Sequence, residues 1–259
     1  MDLGISGRSA IVCASSKGLG RGCAEALAEA GCRLVLNGRN AEVLERTANE
    51  IRSRYNVDVS PVTADISTPE GRAAILSACP EPDILINNNG GPPRRDFRQL
   101  DRAAILEGVA QNMVTPVELV QAVIDGMVRR QFGRIINITS SSVLLPIAGL
   151  DLSSGARAGL TAFLAGVART VAASGVTINN LLPGKMDTDR LRSGLRWEAE
   201  QRGTPEEEEA RRSAGLVPAG RFGTAAEFGQ VCAFLCSIHA GYMTSQNILV
   251  DGGLKPTAF

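Results

Sequence analysis

Residues Ser15-Ser16-Lys17-Gly18-Leu19-Gly20 join an apolar run, Ala10-Ile11-Val12, to a stretch rich in helix formers. Glycines at such a junction let a backbone approach a phosphate, and the free N–H groups and positive dipole end of the new helix favour the negative charge. The chemistry expected here is the holding of a dinucleotide, although Ala14 stands where a first glycine is usual. The second apolar run, Arg33 to Asn37, ends in Gly38-Arg39-Asn40 with no carboxylate to accept from ribose hydroxyls. Arg39 and Lys17 instead offer two cations to an adenosine 2′-phosphate, which points to NADP(H). A third cluster, Asn87-Asn88-Asn89-Gly90-Gly91-Pro92-Pro93, follows the apolar run Asp83 to Ile86. Three amides and two glycines at a strand's carboxyl end supply short hydrogen-bonding groups and unusual backbone angles where open α/β sheets bind ligands.

Positioning these groups requires strands alternating with helices. The pattern gives helices at Leu19 to Ala30, Ala41 to Arg54, Pro69 to Ala78, Leu100 to Arg130, Ser153 to Ala173 and Ala225 to Cys236. Between them lie short strands at Val57 to Thr63, Gly133 to Thr139, Val176 to Leu181 and Asn247 to Val250. Such alternation implies an α/β architecture, a doubly wound, mostly parallel Rossmann sheet with helices on both faces. No linker, repeat or low-complexity tract marks a boundary, so one domain over 1–259 is expected. Residues 187–213 are strongly charged and suit a helical flap over a substrate. There Thr204-Pro205 reads as a cap with proline at the first helical position, and Arg211 and Arg212 can pair with Glu207 and Glu208.

Composition excludes several functions. The 27 acidic residues balance 27 basic ones, which argues against nucleic acid as the partner. No apolar run is long enough for a bilayer, and Met1-Asp2-Leu3-Gly4 lacks signal-peptide features, so a cytoplasmic protein without a membrane partner is expected. The six cysteines read as buried thiols, and with His239 the only histidine, neither a metal centre nor a Ser-His-Asp arrangement is expected.

Taken in order, these motifs resemble the short-chain dehydrogenase/reductase family, most closely its 3-oxoacyl-acyl-carrier-protein reductases. The resemblance runs through Asn137-Ile138-Thr139-Ser140, Pro183-Gly184 with Thr188, and Leu249-Val250-Asp251-Gly252-Gly253. It implies a cofactor site built from the glycine turn, Arg39, Asp65 and Ile66 near the adenine, Asn88, Asn89, Gly90, Pro183, Gly184 and Thr188. It further implies a catalytic serine at Ser140 and a supporting asparagine at Asn112. Where the family places its tyrosine, thirteen residues after Ser140, stands Ser153; where it places its lysine, four further on, stands Arg157. Ser153 ends roughly 4 Å short of a tyrosine hydroxyl. Arg157 can hold a ribose but stays protonated and so passes no proton.

Two functions remain open. One is an NADP(H)-dependent oxidoreductase acting on a small carbonyl or alcohol with another proton donor, for which Ser140, a bound water, Lys185 and Asp187 are candidates. The other is a weak or inactive NADP(H)-binding sensor or partner subunit. Relatives pair through two long helices, here Leu100 to Arg130 and Ser153 to Ala173, so a homotetramer or homodimer is expected, the second helix being apolar on more than one side through Ala158, Leu160, Ala162, Phe163, Leu164, Ala165 and Val167.

Overall fold

The computed structural model describes residues 1–92 and 94–257. Seven parallel strands form one sheet: β1 (Ser9–Val12), β2 (Arg33–Gly38), β3 (Val59–Thr63), β4 (Ile84–Asn87), β5 (Gly133–Ile138), β6 (Val176–Pro183) and β7 (Asn247–Val250), in the order β3-β2-β1-β4-β5-β6-β7. The order reverses direction between β1 and β4, and this switch point opens the crevice at the strands' carboxyl ends.

Side chains alternate across the strands and sort the helices between two faces. Ala10, Val12, Ile84, Ile86 and Ile136 pack against α1 (Gly18–Glu29), α2 (Ala41–Tyr55) and α9 (Ala225–Cys236). Ile11, Leu85, Ile135 and Ile178 pack against α3 (Pro69–Ala78), α5 (Thr115–Arg129) and α6 (Asp151–Val171). Both faces are therefore buried, which is why the strands read as nearly unbroken apolar runs. Between α1 and α9 the backbones touch: a Cβ at Gly22 would strike Ala225, and one at Gly229 would strike Gly22.

Three expectations change. The single long helix before β5 is two, α4 (Arg102–Val109) and α5, joined by a π-helical stretch, Ala110–Val114. Pro116 has no N–H to return to the Asn112 carbonyl four residues back, so the regular ladder breaks there. Secondly, the charged helical segment expected at 187–213 is two helices packed on each other, α7 (Asp189–Arg202) and α8 (Glu206–Gly215). Pro205 rather than Thr204 is the N-cap of α8, and the Thr204 hydroxyl caps nothing. Thirdly, the arginine pairing is centred on Glu209, not on Glu207 and Glu208. Arg202 donates to it at 3.0 Å, Arg212 makes a second pair, and Glu209 is buried beneath them. No helix among the described residues is long and apolar enough to cross a membrane.

Candidate functional site

The glycine turn is held from three sides. Asn37 on β2 accepts from the Ala14 N–H at 3.3 Å, the Asn88 side chain donates to the Ala14 carbonyl at 3.2 Å, and Thr47 of α2 donates to the Ser16 carbonyl at 2.8 Å. Ala14 has φ +45°, the left-handed region that favours glycine, so the chain carries a strained residue where the dinucleotide pattern has its first glycine. Gly18 is also left-handed, at φ +61°. A Cβ at Gly20 would meet Ala14 and lie 2.8 Å from the Asn88 side chain.

These contacts leave the start of α1 bare. Its N-cap, Lys17, provides no side-chain cap, and no acid stands in the first turn. The orphan N–H groups and the dipole there fit a pyrophosphate, and the turn fits a dinucleotide. Leu19 lies in that first turn, packed against the core. Ser15 does not face the crevice: its hydroxyl donates to the Val12 carbonyl and accepts from the Asn37 N–H, so it supports the turn. Thr188, the N-cap of α7, lies beside Gly18, with its methyl 3.8 Å from where a Cβ of Gly18 would be. The Lys17 ammonium pairs with Asp189 of the same helix at 2.6 Å.

At the end of β2, Arg39 is 80% exposed, and its nearest acid, Asp65, is 3.9 Å away. The Asp65 carboxylate accepts from the Ser67 N–H and hydroxyl, which hold its pKa below the usual range. Ile66 beside it is buried in the core. Pro183 ends β6, and Gly184 donates to the Val250 carbonyl at 2.9 Å; a Cβ there would run into Asp251. Gly90 has open space where a side chain would stand.

The catalytic candidates meet at the ends of β4 and β5. Arg157 is only 8% exposed. Its Nε donates to the Ser153 hydroxyl at 3.3 Å, Nη1 to the Ile138 carbonyl at 2.8 Å, and Nη2 to the Asn89 carbonyl at 3.4 Å. Burial, and then the charge of Arg190, push its pKa down to about 10, so it remains a cation at neutral pH. Asn112 sits in the π stretch, buried, donating to the Gly108 carbonyl at 3.2 Å. Its Oδ1 and that of Asn87 have no partner among the described residues, and both side chains border a cavity with room for one water, which Arg157 also lines. Asn89 donates to the Gln111 carbonyl at 3.1 Å. Ser140 accepts from the Ser142 N–H at 3.1 Å and keeps its hydroxyl hydrogen for another partner.

Two of the proposed proton sources turn away. The Lys185 ammonium donates to the Ser213 hydroxyl at 2.7 Å and to its carbonyl, and Asp187 pairs with Arg192 at 3.0 Å.

The sequence reading missed a row of amides. Asn87 donates to Asn137 at 2.9 Å, Asn137 to Asn180 at 3.1 Å, and Asn180 to Asn247 at 2.9 Å. Each pair stands in register on adjacent strands, so the row crosses β4, β5, β6 and β7. An asparagine at the same register of four strands was the available signal, visible only once the strands are aligned.

Comparison with known proteins places this arrangement. The sequence profile described as Enoyl-(Acyl carrier protein) reductase matches residues 13–255. The 3-oxoacyl-[acyl-carrier-protein] reductase FabG of Pseudomonas aeruginosa is 30% identical over 258 residues, covering 97% of this chain and 99% of that protein. Among solved structures, YwfH, an NADPH dependent reductase involved in bacilysin biosynthesis, superposes with a TM-score of 0.92 at 29% identity over 97% of this chain and all of that one. L-sorbose reductase from Gluconobacter frateurii, complexed with NADPH and L-sorbose, gives 0.93 at 27% identity over 99% and 100%.

Proposed function

The chain belongs to the short-chain dehydrogenase/reductase family, and on that footing we propose that it moves a hydride between NADP(H) and a carbonyl or alcohol carbon of a small molecule, with a proton donor other than tyrosine. The carrying observation is the switch point of the sheet, where the bare start of α1 follows β1, Asn88 and Asn89 follow β4, Ser140 follows β5, and Arg157 reaches the Ile138 and Asn89 carbonyls. NADPH-bound and NADPH-dependent relatives support the choice of cofactor.

The bound cofactor supplies the hydride. The protein's part is to hold the adenosine 2′-phosphate with Arg39, the pyrophosphate at Gly18 to Gly20 and Thr188, and the ribose near Arg157. Reduction adds the hydride to the carbonyl carbon and a proton to its oxygen. Ser140 donates a hydrogen bond to that oxygen and stabilises the charge developing there. Ser153 does not take the tyrosine's part, because its hydroxyl ends roughly 4 Å short of a tyrosine's and is far less acidic than a phenol. Water reaching the oxygen is the donor that remains, and losing a positioned acid typically costs about 10²–10⁴-fold in rate.

A second reading, a cofactor-binding sensor of little activity, is favoured by the persistent charge of Arg157. Exposed Phe163 on α6 and Val114 and Leu106 on the adjoining helices support a self-associating chain under either reading. NADPH oxidation with a panel of ketones and aldehydes, beside direct titration of NADPH, separates the readings. Turnover with binding supports the reductase, and tight binding without turnover supports the sensor.

A further inference from the structure

The mouth of the crevice carries more positive charge than the protein itself neutralises. Arg157 spends its bonded N–H groups on one hydroxyl and two carbonyls, and no carboxylate among the described residues is within ion-pair distance. Arg190, at the start of α7, is in the same state: its guanidinium donates to the carbonyls of Gly91 at 3.1 Å and Pro92 at 3.3 Å. Asn89 and Gly91 are two residues apart, so the carbonyls that hold the two guanidinium groups are within about 7 Å of each other. Arg94, whose charge also acts on Arg190, pairs with Glu198 at 2.7 Å. The other acids of this segment are already paired: Asp187 with Arg192, Asp189 with Lys17, and Glu209 with Arg202 and Arg212.

A guanidinium has five N–H donors, so Arg157 and Arg190 retain unused ones. An unmatched cation held out of water is costly, and Arg157, which is buried, has its pKa lowered by desolvation and by the charge of Arg190. Such a cost is recovered when an anion enters. Cofactor phosphates belong at the glycine turn and at Arg39, on the far side of Thr188, and ribose hydroxyls at Arg157 bring no charge.

Resting on the carbonyl-reductase reading, we propose that the substrate carries a carboxylate, received by Arg190 with the field of Arg157 behind. The substrate class is then an oxo acid rather than a neutral ketone, and the product a hydroxy acid. A guanidinium fork matches the two oxygens of a carboxylate.

The test uses the full chain saturated with NADPH. The probes are 2-oxo and 3-oxo carboxylates of four to eight carbons, each beside its methyl ester, with dihydroxyacetone phosphate as a phosphate-bearing carbonyl. Binding to the complex is read by emission of Trp197, the single tryptophan, which lies on α7, and turnover by NADPH oxidation. At least one acid should bind about ten-fold or more tightly than its ester. Arg190→Gln should erase that preference while leaving NADPH affinity unchanged. If an acid binds selectively but nothing is reduced, the carboxylate site stands and the reductase reading fails. If acids and esters bind alike, or dihydroxyacetone phosphate alone is preferred, or Arg190→Gln weakens NADPH while the acid preference persists, the proposal is overturned.

Discussion

Arg157 Nε and Ser153 Oγ face each other at 3.3 Å across one turn of α6, so the two residues that the sequence reading sets at the family's lysine and tyrosine positions are bonded to one another. The serine hydroxyl accepts from the guanidinium, and neither group has the proton-donating strength of a phenol beside an ammonium. Wild-type protein should therefore reduce the family's usual ketones slowly. Ser153→Tyr with Arg157→Lys should raise kcat by about 10²-fold or more, and each single change should do much less, because the phenol needs the ammonium to lower its pKa. Steady-state NADPH oxidation by the four proteins checks this, with circular dichroism confirming that each is folded.

Arg39 at the end of β2 has no close partner and should hold the 2′-phosphate. Arg39→Asp should weaken NADPH binding about 10- to 100-fold, the worth of a charge-assisted hydrogen bond, and leave NADH binding within about two-fold. Fluorescence titration of the two nucleotides measures both. Equal affinity of the unmutated protein for them would remove the basis for this expectation.

The buried Glu209 carboxylate is covered by Arg212 and Arg202, and their hydrogen bonds and charges hold its pKa at about 2. A carboxylate depressed on folding contributes stability that is present above its unfolded pKa of about 4.5 and is lost as pH falls through the folded value. The packing of α7 on α8 should thus be constant from pH 7 to about 5 and loosen between about 4.5 and 2. Emission of Trp197 on α7 reports it, and Glu209→Gln should show the loosened signal already at pH 7.

Ala14, at φ +45°, should welcome glycine. Ala14→Gly relieves the left-handed strain, partly offset by glycine's entropy in the unfolded chain, for a net gain of about 0.5–1 kcal/mol, or roughly 1–4 °C in Tm. Differential scanning calorimetry distinguishes this from the destabilisation expected of Ala14→Val.

Phe163→Glu places a charge on the exposed face of α6 and should shift the chain toward monomer in light scattering, while NADPH affinity holds. A wild-type monomer at micromolar concentration would end this line.

Much of the fold was legible because strands buried on both faces are apolar runs, and glycines and prolines punctuate them; the starts of α3, α9 and β7 fall where the pattern puts them. The turn between β1 and α1 was legible through its backbone demands, as at Gly18 and Gly20. The π stretch was not, since one extra residue per turn leaves no periodic signature, although Pro116 four residues after Asn112 encodes it. Nor was the burial of Glu209, which depends on arginines from two helices meeting over it. Ser15 misled because composition cannot say which hydroxyl in a turn is consumed by the turn itself.

The amide row across the sheet has a direction. Each carboxamide gives its N–H to the next strand and takes from the one before, so no member can flip unless all four do. In the present sense the row presents the Asn87 oxygen at the water-sized cavity; reversed, it would present an N–H there. The polarity of a wall beside Arg157 is thus a single collective choice, anchored three strands away at Asn247, on the strand that forms the open margin of the sheet.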